Sequence, residues 1–171
     1  MIRSRLKALG LELPKVQAPA FQYVPVAVHG GVAYVSGQLP WVKGEITTPG
    51  KVDGEVTVEQ AQEAARLCTL QALAWLDQTL DGLDRVERVL KVTGFVASSP
   101  NFVGQPTVID GASKLLVELF GQAGQHARSA IGVAELPRNT PVEIEFVVAI
   151  KRRPQGQHQR RLMPAAAVEK R

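Results

Sequence analysis

Residues 142–150 read VEIEFVVAI, and the alternation within them decides the fold. Val142, Ile144, Phe146, Val148 and Ile150 fall on one side of an extended chain, because side chains alternate along a strand. A row of five large apolar residues needs a core beneath it. Glu143, Glu145 and Val147 fall on the other side. The stretch reads as a strand with one covered face.

Upstream, Leu136 to Thr140 (LPRNT) reads as a turn and His126 to Ala134 as a strand. If that turn closes a simple hairpin, Glu143 pairs near Val133. Thr107 to Phe120 reads as a helix with Leu115, Leu116 and Leu119 inward, stopped by Gly121 and Gly124. Ser98 to Gln105 is a loop, and Arg85 to Ala97 a long strand. Ala61, Ala65, Cys68, Ala72 and Leu76 recur at helical spacing from Thr57 onward. Thr57 and Gln60 have capping-box spacing, and Asp81-Gly82 supplies the stop. Gly37 to Gly54 has little periodicity and reads as loop. Phe21 to His29 and Val32 to Ser36 form a hairpin around His29-Gly30-Gly31, irregular or at an edge because of Pro25. Residues 1–18 are a lead-in with room for one short helix.

The order is β-β-α-β-α-β-β, which predicts an α+β, two-layer domain: a mixed sheet with two main helices on one face. The other face is expected to carry Arg128, Ala130, Gly132 and Ala134 beside Glu143, Glu145 and Val147. Small residues beside isolated charges suit a surface that meets another subunit, so a homo-oligomer is expected.

With 171 residues, 45% hydrophobic and 21% charged, the chain suits one globular domain. A single cysteine, Cys68, excludes an intrachain disulfide and a Cys-based zinc site. No apolar run is long enough to span a bilayer and no leader is evident, so a cytoplasmic protein without membrane partners is expected. The net charge of +4 is unevenly spread: residues 151–171 hold seven Lys/Arg against one acidic residue, leaving thirteen basic against fifteen acidic residues before them. The expected division is 1–18 lead-in, 19–153 domain, and 154–171 a basic, disordered tail. No aromatic residue is interleaved with those charges, so a nucleic-acid partner is not expected.

Arg128 is the sharpest chemical candidate, since small residues at alternate positions leave its guanidinium room for a planar carboxylate. Spacing alone fits a surface or ion-paired arginine better. Glu143 and Glu145 could orient water or move protons, or simply line a solvated strand. Tyr23 could line a pocket, and Ser36 and Gly37 allow close backbone approach. His126 shares the alternation of Arg128 and could titrate near neutrality. Three scattered histidines make no metal site, and no phosphate loop, dinucleotide fingerprint or Ser-His-Asp set is present.

Three ordered stretches carry a family resemblance. YVPVAVHGGVAYVSGQLP (Tyr23–Pro40), GFVASSPNF (Gly94–Phe102) and ARSAIGVAELPRNTPVEIE (Ala127–Glu145) resemble the RidA/YjgF family of reactive intermediate deaminases, over roughly Pro19 to Arg152. The resemblance implies a chorismate-mutase-like fold and a homotrimer with clefts between subunits. It implies hydrolysis of 2-imino or 2-enamino acids to 2-oxo acids and ammonia, without metal or cofactor. By motif position it makes Arg128 the carboxylate clamp, Glu143 the water-holding glutamate, and Tyr23, Ser36 and Gly37 the pocket wall and backbone donors. The chain departs from the archetype at Ala130 and Gly132, where Cys and Glu are usual. Asp110 stands where relatives have Asn, and the loop Asn101–Gly111 is longer; His126, Asp110 and Ala130 are therefore further pocket candidates. The alternatives are a non-catalytic, carboxylate-binding regulatory trimer and an RNA-binding or ribonuclease protein.

Overall fold

The computed structural model describes residues 1–16 and 21–152. The expected tail at 154–171, His158 within it, and the domain start at residue 19 lie outside the described residues. The elements are α1 (Ile2–Ala8), β1 (Val26–His29), β2 (Val32–Gln38), β3 (Trp41–Val42), β4 (Glu45–Ile46), α2 (Val58–Leu80), β5 (Val86–Ala97), α3 (Gln105–Phe120), β6 (Ala127–Val133) and β7 (Val142–Ile150). The α+β architecture expected from the sequence is present: one mixed, five-stranded sheet in the order β1-β2-β7-β5-β6. Only β5 and β6 run parallel, joined through α3 as a β-α-β unit.

β7 lies inside the sheet, between β2 and β5. Its alternation holds through Val148: Val142, Ile144, Phe146 and Val148 are buried, while Glu143, Glu145 and Val147 are half-buried; Ile150, at the strand end, is half-buried against the core. Val89, Val92 and Val96 of β5 and Ala33 and Val35 of β2 extend the same apolar surface, which α2 and α3 cover. Each fully buried Val, Ile or Phe contributes about 1.5–3 kcal/mol relative to exposure. α2 starts with the capping box read from Thr57 and Gln60. The Gln60 N–H donates to Thr57 Oγ1 at 3.2 Å, and the Thr57 N–H donates to Gln60 Oε1 at 2.9 Å. At its other end Asp81 itself, rather than Gly82, takes the left-handed conformation, with φ 61°.

Several expectations are corrected. β6 and β7 do not form a hairpin, because β5 lies between them. The Leu136–Thr140 segment instead carries the chain past the end of β5. Arg138 and Asn139 there have φ of 57° and 56°. The crossing is pinned by the Gly50 N–H on the Asn139 carbonyl (2.8 Å) and the Ala97 N–H on the Pro141 carbonyl (2.9 Å). β1 begins only at Val26, after Pro25, and Phe21, Tyr23 and Val24 before it are exposed. The expected loop at Gly37–Gly54 contains the small β3–β4 hairpin. Most of the supposed long loop at Asn101–Gly111 is helix, since α3 starts at Gln105.

The main correction concerns faces. Arg128, Ala130 and Gly132 are in register with Val92, Gly94 and Val96 of β5. Those positions are in turn opposite Phe146, Ile144 and Val142, on the helix-covered side. Arg128 and Ala130 therefore face α3, not the open surface that holds Glu143 and Glu145. The alternation within β6 was legible; its phase against the neighbouring strand was not.

α3 sits close on α2. A Cβ at Gly111 would overlap the backbone carbonyl of Gln62 on α2, and Gln62 Nε2 donates to the Thr107 carbonyl at 2.8 Å. Gly111→Ala is expected to destabilise the fold by about 1–3 kcal/mol, because backbone rather than a flexible side chain must move. Denaturant midpoints of the two proteins measure this.

Candidate functional site

The candidate residues fall into two groups. The first lies at the sheet edge, where β6 meets α3. Arg128 Nη1 donates to Asp110 Oδ1 at 2.7 Å and to Ser113 Oγ at 3.1 Å. Asp110 and Ser113 are three residues apart on α3, so they present to the strand as one face. His126 is also here: its Nε2 is 3.0 Å from Ser113 Oγ, and its Nδ1 is 2.6 Å from the Gly124 carbonyl. The Arg128 side chain is 25% exposed and that of Asp110 43%. The ion pair is thus open on one side rather than sealed. Among the described residues, Nε and Nη2 of Arg128 and Oδ2 of Asp110 have no hydrogen-bond partner. Burial pulls the His126 imidazole below its ordinary pKa; the Gly124 carbonyl opposes this and the Arg128 cation adds to it. Ala130 packs on the core beside Gly94 and brings no polar group.

The second group lies on the open face, across β2 and β7. The ladder between these strands slips between Val35 and Gln38, so Ser36 and Gly37 form an irregularity. A Cβ at Gly37 would overlap the Glu143 carboxylate, which therefore lies directly over that backbone. A larger residue there would push the carboxylate off this position. The Ser36 N–H donates to the Pro25 carbonyl at 2.9 Å, and its Oγ to the Val24 carbonyl at 2.8 Å. These bonds tie the Tyr23–Pro25 segment to the bulge, with Tyr23 51% exposed. Burial raises the Glu143 carboxyl above its ordinary pKa, and neighbouring Glu145 raises it further.

Within one chain the two groups do not meet. Glu143 is opposite Phe95, which is opposite Ile131, three residues along β6 from Arg128. Strand spacing and rise put their backbones roughly 14 Å apart, and they are on opposite faces. A cleft of about 690 Å3 in the chain lies elsewhere, between the N-terminal segment and α2, lined by Arg3, Leu6, Leu11 and Asp77 among others. It touches none of the candidates. Among the described residues, no three of His, Cys, Asp and Glu gather to hold a metal ion, and no helix is long and apolar enough to cross a membrane.

Ser113 was missed in the sequence. The signal was available: a second polar residue one helical turn after Asp110, amid Ile109, Ala112 and Leu116. It carried no weight until α3 was known to lie over β6.

Residues 3–149 match the family model described as YjgF/chorismate mutase-like, putative endoribonuclease. The fold is similar to the crystal structure of a protein of unknown function from Agrobacterium tumefaciens. That structure has a TM-score of 0.81 and 47% identity, covering 87% of this chain and 91% of that one. A Trypanosoma cruzi relative named protein TCP17 is 43% identical over 152 residues, 87% of this chain and 94% of its own. A more distant relative from Dermatophagoides farinae, named 2-iminobutanoate/2-iminopropanoate deaminase, is 29% identical over 141 residues, 82% of this chain and 95% of its own. With the family model spanning nearly the whole described domain, and the mixed sheet and its helices agreeing with it, this chain belongs to the YjgF/chorismate mutase-like family.

Proposed function

We propose that the chain hydrolyses small 2-imino acids, and the 2-enamino acids that tautomerise to them, to 2-oxo acids and ammonia. The observation that carries this reading is the Arg128 guanidinium. Its Nη1 is held by Asp110 and Ser113, while its Nε–Nη2 edge has no partner among the described residues. A fixed fork with one open edge suits a carboxylate taken by two parallel hydrogen bonds. The family and the activity named for the Dermatophagoides farinae relative support the same chemistry.

Asp110 refines the substrate class. Arg128 and Asp110 together are near neutral, so a simple anion gains less here than at a lone arginine. A 2-iminium acid is a zwitterion, with carboxylate for Arg128 and a cationic nitrogen for the open Oδ2 of Asp110.

The water-handling half is Glu143 over Gly37, with Ser36 and Tyr23 beside it, contributed by a neighbouring subunit of a homotrimer. The separation of the two groups within one chain requires such sharing if both are to touch one small molecule. The exposed apolar residues Tyr34, Val28 and Ile131 give the subunits something to bury. Water adds to the imine carbon and Glu143 accepts its proton. Glu143 returns that proton to the nitrogen, and as the carbon–nitrogen bond breaks it takes the proton from the new hydroxyl, so that ammonia leaves and the 2-oxo acid remains. A carboxylate with a raised pKa is a better proton acceptor than an ordinary one. Orientation supplies most of the acceleration.

Three outcomes are expected. Arg128→Ala lowers kcat/KM for imine hydrolysis by about 10- to 100-fold, the loss expected for a charged hydrogen-bonded contact. A dehydratase that generates the imine, coupled to detection of its decay, measures this, and an unchanged rate rejects the clamp. If wild-type protein binds 2-oxobutanoate saturably yet leaves imine decay unaltered, the chain is a carboxylate-binding protein instead. Asp110→Asn tightens 2-oxobutanoate binding several-fold while weakening that of a zwitterionic 2-amino acid, as titration calorimetry would record. For Glu143 the folded pKa lies above the unfolded one. Its stabilising contribution is then complete below the ordinary carboxylate range and is lost as pH rises through the raised value. Glu143→Gln should therefore melt above wild type at neutral pH and lose that advantage in acid; a difference constant with pH would contradict the assignment.

A further inference from the structure

We propose that Ser113 and His126 are positioning residues for Arg128, a hydroxyl relay that fixes Nη1 and so leaves the Nε–Nη2 edge aimed at the ligand. This rests on the reading of Arg128 as the carboxylate-binding group.

The polarity of the relay follows from donor and acceptor types. The Gly124 carbonyl can only accept, so at 2.6 Å His126 Nδ1 carries the proton. In the neutral ring Nε2 is then a bare acceptor. Ser113 Oγ, 3.0 Å away, donates its one proton to it. The Ser113 lone pairs are left to accept, and Arg128 Nη1 donates to them at 3.1 Å. Every link has one direction: Arg128 to Ser113 to His126, with His126 held by Gly124. Burial lowers the His126 pKa, which favours the neutral ring that this order requires.

The arrangement matters because Asp110 alone would hold Nη1 at a single point. One hydrogen bond lets a guanidinium swing about it; two, from residues on the same helix face, set its plane. Gly124 is itself buried, and a Cβ there would overlap the Leu116 carbonyl of α3, so the end of the relay is anchored against α3.

Two measurements on the full-length protein test the relay. The first is nitrogen-15 NMR of His126, in which the Nδ1-protonated tautomer is expected at neutral pH. An Nε2-protonated ring would overturn the polarity. The second is calorimetric titration with 2-oxobutanoate. Ser113→Ala is expected to weaken binding about tenfold, as loss of one hydrogen bond to a charged group does. His126→Leu should cost about the same, and the double variant no more than either single one, because the residues act as one unit. Ser113→Thr, which keeps the hydroxyl, should bind like wild type and guards against misfolding as the cause. Unchanged binding in Ser113→Ala, or additive losses in the double variant, would overturn the relay. If Arg128→Ala still loses binding in that case, the clamp stands without it. Undiminished binding in Arg128→Ala would bring down both.

Discussion

The parallel pairing of β5 with β6 decides where the Arg128 guanidinium points. Val92 sits opposite Arg128, and Val92 faces the helices, so the guanidinium must face them too. A slip of one residue would turn it to the open surface, since every side chain on a strand changes face with such a shift. Because β6 is the last strand of the sheet, the guanidinium emerges at a rim rather than inside the core. It gains protein partners on one side and keeps solvent on the other.

Charge balance follows from that location. A buried lone arginine would be costly, and an exposed one would be floppy. Asp110 offsets the charge, while Ser113 adds direction without adding charge. The opposite logic rules the second group. Glu143 lies over Gly37, half-buried and with Glu145 as its neighbour on the strand; burial first and the neighbouring carboxylate second disfavour its ionised form. One half of the proposed site is built to hold charge still, the other to take up a proton.

Much of the fold was legible because it depends on local periodicity. The alternation of β7, the stripe and capping box of α2, and the leucines of α3 each fixed an element and its covered side. What failed was non-local. LPRNT has the composition of a hairpin turn, and nothing local says that β5 will come between the strands it joins. The face Arg128 takes is set by the parallel register of β6 on β5, which no local period in β6 reveals. Tyr23, Ser36, Gly37 and Glu143 could be grouped only through motif resemblance, and the bulge that stacks Glu143 on Gly37 has no sequence period. Ser113 lay unseen because its partner strand was unknown.

The glycine contact between α2 and α3 has one more effect. With Gly111 set against the Gln62 backbone, α3 packs on α2 too closely there to admit even a Cβ. Asp110 and Ser113, on either side of Gly111 in sequence, sit on that close-packed stretch of helix. The geometry around Arg128 is then complete once the chain has folded. An arriving molecule loses its own freedom of tumbling but need not order the protein, which favours capture of something small and short-lived over slow accommodation of something large.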